Sequence, residues 1–169
     1  YTSSDDRWMV GDTRRPNGAR AVTGPEYSGG VEAYDLSIGS DDSVWIATDE
    51  GAATLDGNDF LTFSMQTGTP VVKRVLVDRD GVVWAVTEDG LYVNDRGGFR
   101  WVPNMIGFGI NDLHMDYRGR LWIASDQGLY RRYAQDRFIK VDLTNGEQPR
   151  VVSVTTTVDD RVIAGTADE

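Results

Sequence analysis

Asp78-Arg79-Asp80-Gly81-Val82-Val83-Trp84-Ala85-Val86-Thr87-Glu88-Asp89-Gly90-Leu91-Tyr92 is the stretch whose reading decides the fold. Asp78 to Gly81 is a hairpin turn whose glycine tolerates positive φ. Val82 to Thr87 is a continuous apolar run, as expected of a strand packed on both faces. Glu88-Asp89-Gly90 turns again, and Leu91 to Asn94 pairs back. Upstream, Val71 to Val77 reads as a first strand; downstream, Arg96-Gly97-Gly98 turns into a fourth at Phe99 to Val102.

The same string recurs. Asp41 to Gly51 and Arg118 to Gly128 align with Asp80 to Gly90, and Trp45, Trp84 and Trp122 stand 39 and 38 residues apart. A weaker copy, Asp159 to Thr166, places Ile163 where the tryptophan stood, 41 residues on. Phe60, Phe99 and Phe138 keep the same beat at 39 and 39, and Trp8 joins it if 13 extra residues are removed from the stretch Arg14 to Gly30. Four short strands per repeat of about 40 residues is the pattern of β-propeller blades. No segment sustains a period of 3.6, which excludes helical solenoids. The recurring bulky residue fills the wedge between radially stacked blades, and burying each contributes about 2–3 kcal/mol. Trp45, Trp84 and Trp122 are therefore read as core.

The string Asp-x-x-Gly-x-x-Trp-x-x-Thr-x-x-Gly-Leu-Tyr, from Asp78 to Tyr92 and again from Asp116 to Tyr130, resembles the two-component regulator propeller repeat. The resemblance covers nearly the whole chain outside Arg14 to Gly30. It implies an extracytoplasmic propeller of a bacterial hybrid histidine kinase or related signal transducer, periplasmic or extracellular, that senses a ligand such as a carbohydrate breakdown product. The first copy departs from the pattern, with Ala52-Ala53 for Leu-Tyr and Ser43 for the turn glycine; the last lacks the tryptophan.

The expected class is all-β: a propeller of about four blades of four antiparallel strands, forming part of a larger ring. Residues 1–13 would end a preceding blade, 14–30 form a long connection, 31–70, 71–109 and 110–150 make full blades, and 151–169 begin another. Both termini fall at nearly the same phase of the repeat. Four blades closing on themselves is the competing arrangement, since propellers have four to eight blades.

Charge narrows the partners. Seventeen Lys and Arg face 27 Asp and Glu, a formal charge of −10. Such a chain is repelled by phosphate backbones and anionic lipid, so neither nucleic acid nor direct membrane insertion is expected. The absence of cysteine removes disulfides, thiolate metal sites and thiol nucleophiles. No apolar run reaches transmembrane length.

Signals for catalysis are weak, and no catalytic residue, metal site or cofactor is expected. His114, the single histidine, sits between Leu113 and Met115 and reads as structural. Asp78-x-Asp80-Gly81 opens like a calcium loop, but its glycine comes too early. The loops between second and third strands carry Asp49, Glu50, Glu88, Asp89, Asp126, Asp168 and Glu169. Propeller geometry brings them to one face with the connections that cross between blades, and their acids read mainly as turn residues. Binding residues concentrate on such crossing loops. Arg14, Arg15, Arg20 and Tyr27 on the longest, and Gln66, Phe108, Asn145 and Arg150 on others, offer the aromatic, amide and guanidinium groups a saccharide needs.

The expected function is a ligand-sensing module that takes a small molecule or oligosaccharide. Its other expected partner is the remaining blades or another copy of the chain. The alternatives are a carbohydrate-active lyase or hydrolase, which would need a converging acid–base set, and a protein-interaction scaffold. Fold alone does not separate the three.

Overall fold

The structure is a computed structural model that describes residues 9–11, 19–21, 32–56, 59–63, 65, 71–95, 97–143 and 149–167. Three four-stranded antiparallel meanders carry the chain. The first blade is β3 (Ala33–Ile38), β4 (Val44–Thr48), β5 (Gly51–Asp56) and β6 (Asp59–Phe63). The second is β7 (Arg74–Val77), β8 (Val83–Val86), β9 (Gly90–Asn94) and β10 (Phe99–Ile106). The third is β11 (Ile110–Met115), β12 (Leu121–Ser125), β13 (Gly128–Ala134) and β14 (Arg137–Val141). A hairpin of β15 (Arg150–Thr156) and β16 (Val162–Ala167) follows in the same phase. Within 14–30, read above as a connection, lies the short strand β2 (Ala19–Ala21), paired with β1 (Met9–Gly11). No helix occurs among the described residues.

The second strand is buried throughout in β8 and β12, as the apolar run predicted. Sequential inner strands β3, β7, β11 and β15 lie side by side. Three apolar clusters fill the gaps between blades. Val75, Tyr92 and Phe99 pack against Ala47, Trp45 and Phe63 in the first gap. Trp84 and Val93 meet Leu121, Ile123 and Phe138 in the second. Trp122 and Leu129 meet Val151 and Val154 in the third. The fourth strand of the second blade runs further than expected, to Ile106. Its register shifts between Trp101 and Ile106, where Pro103 has no N–H to give the ladder.

The Asp at the head of the repeat does more than turn the chain. Asp78 Oδ1 accepts the backbone N–H groups of Asp80 (3.0 Å) and Val82 (2.9 Å), while Oδ2 accepts the Trp84 indole N–H at 3.3 Å. Asp116 repeats this, with Oδ1 accepting Arg118 and Arg120 N–H at 2.9 Å and Oδ2 accepting Trp122 Nε1 at 2.9 Å. One buried carboxylate thus fixes both the hairpin and the rotamer of the wedge. The indole keeps its N–H satisfied while its rings are buried, which removes the main penalty of burying tryptophan.

Three residues after Asp78 and Asp116, the turn requires a left-handed residue. Gly81 and Gly119 hold φ of 77° and 78° there, and Asp42 and Asp160 hold 64° and 68°. The residue standing for the turn glycine in the first copy is therefore Asp42, not Ser43. Asp, with a short side chain that bonds locally, tolerates this region better than most. Thr in Thr-x-x-Gly also has a local task. Thr48 Oγ1 donates to Gly51 O at 2.8 Å and accepts Glu50 N–H at 3.2 Å, and Ser125 Oγ does the same for Gly128 O and Gln127 N–H.

Candidate functional site

The loops between second and third strands do meet the crossing connections, and hydrogen bonds join them. In the first blade Asp49 Oδ1 accepts Glu32 N–H at 3.0 Å and Asp49 N–H donates back to Glu32 O. In the second, Lys73 Nζ lies 2.9 Å from Glu88 Oε1, and Gly107 N–H donates to Asp89 O. In the third, Asp126 N–H donates to Gly109 O and Gln127 Nε2 reaches Gly107 O at 3.4 Å.

The densest polar group on this face centres on Asp126. Its Oδ1 accepts Arg150 Nε at 2.7 Å and Asn111 Nδ2 at 2.9 Å. Asn111 Nδ2 also reaches Val151 O at 2.9 Å, joining the third blade to β15. The Arg150 bond first, then the Asn111 bond, holds the Asp126 carboxyl below its ordinary value. Gly109 makes the close approach possible: it has φ 56°, and a Cβ there would lie 2.2 Å from Asp126 Oδ2. Phe108, the residue before Gly109, is half-buried and edge-on to Tyr130 at 5.2 Å. Lys140 Nζ stands 5.9 Å from the centre of the Tyr130 ring, and burial raises the Tyr130 phenol above its ordinary value.

Among the expected binding residues, Arg150 joins this group, whereas Phe108 packs into the apolar cluster between the second and third blades. Arg20 lies on β2, where the backbone alone is described. Arg14, Arg15, Tyr27, Gln66 and Asn145 lie outside the described residues, as do Asp168 and Glu169. Asp49, Glu88 and Asp126 each have a partner on the same face. Among the described residues no three His, Asp or Glu converge as a metal site. His114 Nε2 lies 2.9 Å from Thr156 Oγ1 of the next inner strand, away from this loop face. Asn111 escaped the sequence reading because it lies in a first strand, where an amide carries no loop signal.

No protein-family model matches the sequence, and no curated protein matches it. Solved structures do. The extracellular domain of a hybrid two-component system from B. thetaiotaomicron is similar at a TM-score of 0.67 and 17% identity, over 84% of this chain and 20% of that one. That of a second such system from the same organism is similar at 0.57 and 18%, over 75% and 18%. A virginiamycin B lyase from Staphylococcus aureus is similar at 0.67 and 10%, over 95% of this chain and 53% of that one. The chain thus spans about a fifth of the length of the two-component domains and about half that of the lyase. At these identities the likeness is one of fold, and the chain has a β-propeller fold.

Proposed function

We propose that this chain is a ligand-sensing propeller module in the extracytoplasmic part of a bacterial membrane signal transducer. The observation that carries the reading is its likeness to extracellular domains of two hybrid two-component systems, over 84% and 75% of its own length. The loop face supplies the chemistry in this reading. Arg150, Asn111 and Asp126 offer donors and acceptors in a fixed array. Saccharide hydroxyls and an anionic sugar suit such groups, so the ligand class is a small oligosaccharide.

The module is proposed to bind without turning its ligand over. His114 is tied to Thr156, and the carboxylates of Asp49, Glu88 and Asp126 on the loop face are engaged by a backbone N–H, Lys73 and Arg150. The likeness to a virginiamycin B lyase favours a second reading, an enzyme. A thermal-shift screen against neutral and acidic oligosaccharides, with product analysis on the same samples, separates them. A raised melting temperature with intact ligand is expected. Turnover would favour the enzyme, and no response to any saccharide would favour a protein-interaction scaffold.

A further inference from the structure

One position recurs in each inner strand, opposite the second residue after the tryptophan. Asp35 holds it across from Ala47, Arg74 across from Val86 and Asp112 across from Ala124. In the first and third blades it is an acid that ties its strand to the next one. Asp35 Oδ2 accepts Val75 N–H at 3.1 Å, and Asp112 Oδ2 accepts Val154 N–H at 3.0 Å. Arginine has no acceptor to offer. In the second blade the equivalent N–H, that of Leu113, turns instead to Asp112 Oδ1 at 3.0 Å. Asp112 thus serves two backbone groups, and Arg74 is left without the task its position carries elsewhere.

Arg74 is also set apart by its partners. In a chain of net charge −10, Arg100, Arg118, Arg120, Arg132, Arg150 and Arg161 each pair with an aspartate. Arg74 is half-buried, and its one bond among the described residues runs from Nε to Asn111 O at 3.5 Å. No carboxylate and no other acceptor among those residues meets its two Nη groups. A half-buried donor without an acceptor is costly, and a guanidinium fork matches a planar carboxylate through two parallel bonds. Arg74 sits at the loop-face end of β7, since its neighbour Lys73 pairs with Glu88 there. Asn111 then links it to the polar group already described. Asn111 Nδ2 donates to Asp126 Oδ1, which also accepts Arg150 Nε.

We propose that Arg74 binds the carboxylate of an acidic sugar, a uronate, whose hydroxyls meet Asn111, Asp126 and Arg150. The proposal rests on the saccharide-sensing reading above and narrows it, because a neutral sugar leaves the Arg74 fork without a partner. A small organic acid offers the same carboxylate without the hydroxyls, so it binds more weakly than the uronate.

Titration calorimetry on the protein tests this with a panel of uronate-bearing oligosaccharides, the methyl esters of the same compounds, neutral oligosaccharides and succinate. The acids should bind at least about tenfold more tightly than their esters, and the difference should shrink as salt rises. Arg74→Gln should weaken acid binding by roughly tenfold to a hundredfold and bring acid and ester to the same affinity. Arg74→Asp introduces the acid that the first and third blades carry, so it should keep the parent circular-dichroism spectrum and bind acids more weakly still. Arg161→Gln, at an exposed pair in the β15–β16 turn, should leave the preference for acids intact. Esters or neutral sugars that bind as tightly as the acids would overturn the proposal and leave the sensing reading standing. So would an Arg74→Gln variant that still prefers acid to ester. Succinate binding as tightly as the uronates would overturn the assignment to a sugar, and a failure of every saccharide to bind would overturn both readings.

Discussion

The indole of Trp84 meets the ring of Phe138 edge-on, with centroids 6.0 Å apart and planes at 88°. Trp45 meets Phe99 in the same way, at 6.0 Å and 80°. Each pair joins the second strand of one blade to the fourth strand of the next, fifty-four residues on. The two markers that keep time along the sequence are thus one contact in space. Trp84→Ala should cost about 3–5 kcal/mol of unfolding free energy, through lost apolar burial and an unfilled cavity. Urea denaturation followed by circular dichroism measures it.

Arg132 caps the same indole from the third blade. Its Cζ stands 4.7 Å from the Trp84 ring centre and Nη1 lies 3.2 Å from Asp78 Oδ2. Arg132→Met keeps the stem and removes the charge. It should destabilise by about 1–2 kcal/mol, since a cation–π contact and a bond to a buried carboxylate are lost together. Arg161→Met, at the exposed Arg161–Asp159 pair, should change stability by less than about 0.5 kcal/mol.

The Asp116 carboxyl predicts acid sensitivity. Burial pushes its pKa up, but the Trp122 and Arg120 bonds and the Arg118 N–H outweigh that and lower it from 3.8 to about 2. A carboxyl with a depressed folded value stabilises fully above its unfolded value and loses that contribution as pH falls through the folded one. Stability should therefore fall between about pH 4 and pH 2. In Asp116→Asn this part of the pH dependence should vanish, and stability at pH 7 should drop by about 1.5–3 kcal/mol. Denaturant melts at pH 7, 4 and 2 give both.

The turn position offers a test with opposite signs. Asp42 and Asp160 hold positive φ where the other two turns use glycine. Asp42→Gly should stabilise by up to about 1 kcal/mol, because the exposed Asp42 side chain makes no ion pair among the described residues and glycine adopts that backbone without steric cost. Gly81→Ala should destabilise by about 1 kcal/mol despite the open space around it.

Gly109→Ala addresses the loop face. Its Cβ would displace the Asp126 carboxyl. Loss of the Arg150 and Asn111 bonds should abolish any saccharide-induced rise in melting temperature, while the far-ultraviolet spectrum stays that of the parent.

The blade architecture was legible because its signals are local and repeated: the tryptophan beat, the turn Asp and Gly, the apolar second strand. The Asp78–Trp84 bond was hidden, because a turn already accounts for an Asp before Gly and nothing in the spacing demands a second task of it. Arg132 was hidden for another reason. It replaces Asn94 of the preceding blade at the same position, and its target lies across a gap that sequence distance does not reveal. At the loop face, sequence chemistry selected Arg150 and Phe108 by residue type. Asn111 and Gly109 were missed, because an amide at a strand start and a glycine before it look like ordinary strand-entry residues until Asp126 is placed between them.

The central claim is that consecutive repeats are neighbouring blades wedged by these rings. Nuclear Overhauser contacts between aromatic protons, assigned by selective labelling of Trp and Phe, test it most directly. Cross-peaks are predicted for Trp84 with Phe138 and for Trp45 with Phe99. Their absence, with Trp84 instead exchanging magnetisation with solvent-exposed rings or with none, would contradict the account.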